Sequence, residues 1–230
     1  MEESSEIFEK KLNILRDTEG HHNKVETHLI RELKTQLEKI PQFVGIGIKG
    51  STAKGYNTKL SDIDIVVLYD APIESNLHLW QLGKMSEEEA ETVGQFAEVI
   101  DREQKKLRIK NSKHLEASFE NLNLEDLARR IELGLNHFPA PALVHLCGLT
   151  AGRNVNNYRQ SVAKLVNEQP SELRQTIIEW ISDRLASEDA VSMFKAATRI
   201  PSLAARETEV KQSRRELWRR RVKRLLSSTI

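Results

Sequence analysis

Two aspartates one residue apart, Asp62 and Asp64, open an apolar run that continues Ile65-Val66-Val67-Leu68, and a Gly50-Ser51 pair precedes them by ten residues. In an extended strand side chains alternate, so both carboxylates share a face about 7 Å apart while Ile63 and Ile65 take the other. Carboxylates at that spacing repel, and burying them unpaired is costly. A divalent cation resolves the conflict, since Mg²⁺ prefers hard oxygen ligands and commonly takes one or two carboxylates plus substrate phosphate oxygens. Gly50 lets the backbone approach a phosphate closely, and the Ser51 hydroxyl and N–H can donate to it. Lys54 in the intervening loop could add a point charge to a triphosphate or stay solvated.

Other phosphate-binding patterns fit less well. Gly45, Gly47 and Gly50 formally match G-x-G-x-x-G, and Asp70 stands at the end of the next apolar run. A dinucleotide fold needs an amphipathic helix between the third glycine and the second strand. Ser51 to Ser61 offers only Ala53, Tyr56 and Leu60 for such a face, with Gly55 in the middle. A P-loop fails because no Gly-Lys-Ser/Thr follows the glycines. The bland alternative for the aspartate pair is a solvated start to a strand; Gly50-Ser51 at its fixed distance argues against it.

Gly-Ser, ten residues, then Asp-x-Asp followed by Ile-Val-Val-Leu resembles the signature of the DNA polymerase β-like nucleotidyltransferase superfamily. Within it the chain looks most like the minimal nucleotidyltransferases and the aminoglycoside adenylyltransferases. The close match spans Ile46 to Leu68, and the order of surrounding elements extends it to roughly residues 24 to 122. The resemblance implies a third carboxylate on a later strand; Glu116 in His114-Leu115-Glu116-Ala117-Ser118-Phe119 fits best, ahead of Glu120 and Asp101. It also implies Mg²⁺-dependent transfer of a nucleoside monophosphate from an NTP, such as ATP, to an acceptor hydroxyl, with release of pyrophosphate. Asp62 and Asp64 would hold one or two Mg²⁺ ions, and Glu116 would share the second metal or take the acceptor's proton. Gly50 and Ser51 would grip the β- and γ-phosphates. The acceptor could be a small-molecule hydroxyl, RNA or protein. A catalytically silent nucleotide-binding or antitoxin-like module is the alternative, because a fold alone does not establish activity.

The elements that must position these groups follow from periodicity. Helical spacing covers residues 4 to 40 with a polar break at Gly20 to Asn23, and Pro41 ends it. Val44, Ile46 and Ile48 alternate as a strand, and Ile63 to Tyr69 reads as a second, central one. Ser86 and Glu89 form a capping box for a helix to about Lys106. Leu107 to Lys110 and His114 to Phe119 read as a hairpin-like strand pair, and Asn123 caps a short helix. Ala142 to Leu149 is an apolar run compatible with strand or helix. Beyond Gly152 only helical faces recur: one through Tyr158 and Val162, one behind a Ser171 cap, and two flanking Pro201. The expected fold is α+β: residues 1–152 as a nucleotidyltransferase-type mixed sheet with flanking helices, and residues 153–230 as an all-helical region.

Composition narrows the class. The single Cys147 of the 230 residues excludes an internal disulfide and a cysteine-based zinc cluster. The N-terminus is acidic with no apolar stretch behind it, and no run approaches the roughly 20 residues of a membrane span; a cytoplasmic protein is expected. His21, His22 and His28 fit a solvated turn, His145 and Trp180 fit core positions, and Trp80 fits a loop anchor or a base-stacking platform. The formal net charge of +1 conceals polarity. The last 25 residues carry nine basic and three acidic side chains, a net of +6, leaving −5 on the rest. Trp218, Val222 and Leu225 form an apolar stripe through that basic helix, whose exposed face could touch a polyanion.

Overall fold

The computed structural model describes residues 30–49, 62–73, 85–111, 114–132, 140–148, 150–197 and 207–227. Among them run helix α1 (residues 30–37), strands β1 (Phe43–Ile48) and β2 (Ile63–Tyr69), α2 (Glu87–Asn111), β3 (Leu115–Asn121), α3 (Leu124–Glu132) and α4 (Ala140–Cys147). A short β4 (Thr150–Ala151), α5 (Val155–Asn167), α6 (Ser171–Ala197) and α7 (Glu207–Ser227) follow. The strands form one mixed sheet in the order β3-β2-β1-β4, with β1 antiparallel to β2 and β4, and β2 parallel to β3. The fold is α+β, with helices flanking the sheet and a mostly helical C-terminal region.

β2 is central and almost wholly apolar because both its faces are covered. Ile63, Ile65, Val67 and Tyr69 face one core with Leu33 and Leu37 of α1, Phe96 and Ile100 of α2 and Leu115 of β3. Val66 and Leu68 face a second core with α3 to α7, including Leu143, Val162, Ile177, Ile181 and Val222. A bulge between Phe43 and Gly45 lets Phe43 and Ile46, three residues apart, both face the first core while Val44 faces the second. Asp64 is the one strand position of β2 where this pattern breaks: it is half-buried on the face of Val66 and Leu68, beyond the reach of their apolar cover.

The opposite end of β2 is tied down by polar side chains. The Tyr158 hydroxyl of α5 and Asn123 Nδ2 (3.1 Å) both donate to the Asp70 carboxylate, which engages it structurally. Ser86 Oγ accepts from the Glu89 N–H at 3.1 Å, capping α2. The Glu89 carboxylate, however, turns inward to accept from Tyr69 (2.9 Å) and Asn121 (2.9 Å), joining α2 to β2 and β3. Asn123 Oδ1 caps α3 through the Asp126 N–H at 3.1 Å.

Several sequence expectations are corrected. Leu107 to Lys110 belong to α2, which runs to Asn111, so the hairpin does not exist and β3 pairs with β2 instead. Residues 142–147 lie within helix α4. Ser171 is the first residue of α6 rather than its cap, and α6 continues unbroken to Ala197, absorbing the helix expected before Pro201. The expected helix over residues 4–29 lies outside the described residues.

Gly45 of β1 and Gly152, just after β4, serve packing. A Cβ on Gly152 would meet the Val44 carbonyl oxygen and Gly45 Cα, and one on Gly45 would meet Val155 Cγ2. Both must be glycine for β4 and α5 to lie against β1. Gly152→Ala is therefore expected to cost about 2 to 3 kcal/mol, typical of overpacking against an unyielding backbone, read as a lower denaturation midpoint with unchanged m-value.

Candidate active site

β2 and β3 run parallel in the register Asp64 opposite Glu116, so the two carboxylates lie on one face of neighbouring strands. Strand spacing puts their backbones about 5 Å apart. Continuing the alternation one step back puts Asp62 on this face too. Asp64 is half-buried, while Asp62 and Glu116 are exposed. The arrangement sits at one end of the sheet, next to a face whose remainder is sealed by α4 to α7.

The other carboxylates considered fall away from this point. Glu120 lies four residues further along β3, opposite Leu68; burial raises its pKa and the nearby Lys49 counteracts part of the rise. Asp101 is on α2, paired with Lys105 at 2.7 Å. Gly50, Ser51 and Lys54 lie outside the described residues. Among the described residues no three Asp, Glu, His or Cys side chains converge closely enough to cage a metal ion. The donor set nevertheless fits Mg²⁺, which needs only one or two protein carboxylates when phosphate oxygens and water complete its shell.

Lys49 was not singled out by the sequence motif. It follows β1, its N–H donates to the Asp64 carbonyl at 3.0 Å, and its ammonium donates to Ser118 Oγ on β3 at 3.0 Å. The signal was present in the alternation Gly45, Gly47, Lys49, which puts it on the carboxylate face.

Other candidates resolve into structure. His145 of α4 is half-buried; burial, with Lys49 and Arg184 adding to it, lowers its pKa to about 4. The folded state thus binds fewer protons than the unfolded chain between about pH 4 and the unperturbed histidine value near 6.5. This group's contribution to stability is full above that window and is lost as pH falls through it. A His145→Gln variant should show a shallower loss of stability than the native protein in urea titrations between pH 7 and pH 4. Cys147 is buried and its thiol is pushed up to about 12. Its helix end is capped by arginines: Arg159 donates to the Leu146 carbonyl at 2.9 Å and Arg221 to that of Gly148 at 3.3 Å. Trp180 packs at the edge of the second core. His21, His22, His28 and Trp80 lie outside the described residues.

The basic C-terminal helix α7 packs on α5 and α6 through Trp218, Val222 and Leu226, with Leu225 partly buried. Arg215 pairs with Asp183, Arg219 with Glu179 (3.4 Å) and Arg220 with Glu216 (3.1 Å), while the Arg221 guanidinium lies 5.0 Å over Trp218. Exposed ion pairs of this kind are weak and exchangeable. No helix among the described residues is long and apolar enough to cross a membrane.

Comparison with known proteins adds one result. No curated protein and no solved structure matches the chain. The family model of the nucleotidyltransferase domain matches residues 30–125, from α1 through the start of α3, and so spans β1, β2 and β3 with Asp62, Asp64 and Glu116. Residues 30–125 therefore match a nucleotidyltransferase domain, in line with the resemblance of Gly50-Ser51 and Asp62-Ile63-Asp64 to the DNA polymerase β-like superfamily.

Proposed function

We propose that this protein transfers a nucleoside monophosphate from an NTP, with ATP as the first candidate, to an acceptor hydroxyl. The observation that carries the reading is the register of Asp64 against Glu116 on one face of a nucleotidyltransferase domain. Asp62 and Asp64 would hold one or two Mg²⁺ ions, with Glu116 sharing the second. Bound there, the metal supplies charge neutralisation for the triphosphate and the developing pyrophosphate. Gly50 and Ser51 would bind the β- and γ-phosphates, Lys54 would add positive charge, and Glu116, if not engaged on the second metal, would instead accept the acceptor's proton. The acceptor oxygen forms a bond to the α-phosphorus as the bond to the β-phosphate's bridging oxygen breaks, and pyrophosphate leaves.

The polarity of the chain bears on the acceptor. The acidic part of the molecule carries the site, and α7 presents Arg219, Arg220, Lys223 and Arg224 on its exposed side, which supports contact with a polyanion such as RNA during cytoplasmic function. Small-molecule hydroxyls and protein side chains are the other acceptor classes. The test is incubation with each α-labelled NTP, Mg²⁺ and RNA, total protein or a panel of hydroxyl-bearing small molecules. Covalent labelling of one acceptor class, with stoichiometric pyrophosphate, is expected. Nucleotide binding without label transfer to any of them would return the protein to a silent nucleotide-binding module.

A further inference from the structure

Lys49 and Ser118 belong to parts of the sheet that do not touch. β2 lies between β1 and β3, yet Lys49 Nζ reaches Ser118 Oγ across it at 3.0 Å. The start of this bridge is fixed by the Lys49 N–H bond to the Asp64 carbonyl, which continues the register of Ile48 with Ile65 and sets Lys49 opposite Asp64. Its end is fixed by register as well, since Ser118 stands opposite Val66 and shares a face with Glu116 two residues earlier. The residue directly before Gly50-Ser51 is thereby joined to the strand that bears Glu116.

The bridge has a mechanical reason. In the sheet order β3-β2-β1-β4, β3 is an edge strand among the described residues, where its backbone pairing is with β2, in the parallel arrangement that is the slightly weaker kind. Glu116 is the second residue of that strand and is exposed, so it lies where an edge strand is most free to fray. Its carboxylate also faces Asp64, and like charges directly opposite push strands apart. Immobilising a lysine side chain gives up rotamer entropy, so a half-buried ammonium held across a strand must be compensated by what it binds. Here that is the Ser118 hydroxyl and attraction to Glu120.

We propose that Lys49 is a positioning residue for nucleotidyl transfer: by holding Ser118 it sets β3, and with it Glu116, against Asp64 and the end of β1. The inference rests on the role assigned to Glu116 above. Displacement of a reacting group by about 1 Å can lower a rate by about a hundredfold, so the effect belongs in kcat.

The experiment compares Lys49→Met, Lys49→Arg, Ser118→Ala and the Lys49→Met/Ser118→Ala double variant in steady-state transfer and in amide hydrogen exchange of residues 115–121. Lys49→Met should lower kcat by about 30- to 100-fold, with KM for the NTP changed by no more than about threefold. Ser118→Ala should follow in the same direction, the double variant should be no worse than Lys49→Met within about twofold, and Lys49→Arg should recover part of the loss. β3 exchange should rise in both single variants. Unchanged kcat in Lys49→Met, a rise confined to KM, or losses that multiply in the double variant would each overturn the proposal. Should Lys49→Met fail to fold, Ser118→Ala, which deletes one hydroxyl, carries the same comparison. A native protein with no transfer activity would instead remove the functional reading, and β3 exchange unchanged in the variants would then still overturn the bridge.

Discussion

Asp64→Asn should lower nucleotidyl transfer by about three decades, roughly 4 kcal/mol of transition-state stabilisation, while the protein stays folded. The substitution keeps the shape of the side chain and removes the charge that would bind a cation. Stability should change by no more than about 1 kcal/mol, because Asp64 is only half-buried and asparagine keeps an oxygen acceptor in the same place. The like charge of Glu116 directly opposite favours the substitution by about a few tenths of a kcal/mol. The diagnostic outcome is thus a variant with a melting temperature close to native and a collapsed kcat. Near-native turnover would remove Asp64 from the site, and a collapsed melting temperature would mean that its carboxylate is structural.

Val222→Asp should unfold the C-terminal helical region or the whole chain. Val222 is fully buried in the second core, where α7 meets α5 and α6, and Trp218 and Leu226 of the same stripe are nearly so. Losing the valine's packing costs on the order of 2 to 3 kcal/mol, and burying a carboxylate with no partner adds at least as much again. The sum of roughly 5 kcal/mol is comparable to the whole stability of many domains. Because this core reaches Val66 and Leu68 of β2, the damage should spread to the sheet. Thermal unfolding and circular dichroism would report it; a midpoint within a few degrees of native would contradict the docking of α7. Arg220, on the exposed side of the same helix, pairs with the exposed Glu216, and its replacement should leave stability almost unaltered.

How far the sequence was legible depended on the length of each pattern. Seven residues of β2, buried on both faces, gave a strand with an identifiable defect at Asp64. The facing pair followed from alternation alone, whereas Glu116 needed the register of β3, which no local pattern contains. β4 has two residues, too few for any period, and is specified by the close approach that Gly45 and Gly152 permit. Leu107 and Ile109 alternate with basic residues over a stretch too short to outweigh the helix already running through Lys105 and Lys106. The apolar run in α4 lacks amphipathic contrast because the helix lies in the second core between the sheet and α6. Gly45 and Gly47 resembled a dinucleotide loop; the tight contacts of Gly45 with β4 and α5 account for it without a ligand.

The central claim is that the carboxylates at the start of β2 and β3 act on one face as a single site for a metal-bound nucleotide. Binding of Mn²⁺, followed by paramagnetic resonance in the presence of a non-hydrolysable NTP analogue, tests it most directly. The native protein should bind Mn²⁺ with nucleotide, Asp62→Asn and Asp64→Asn should each weaken that binding at least about tenfold, about 1.4 kcal/mol or more, and Glu116→Gln should weaken it in the same direction. Equal Mn²⁺ affinity in the native protein and both aspartate variants would contradict it.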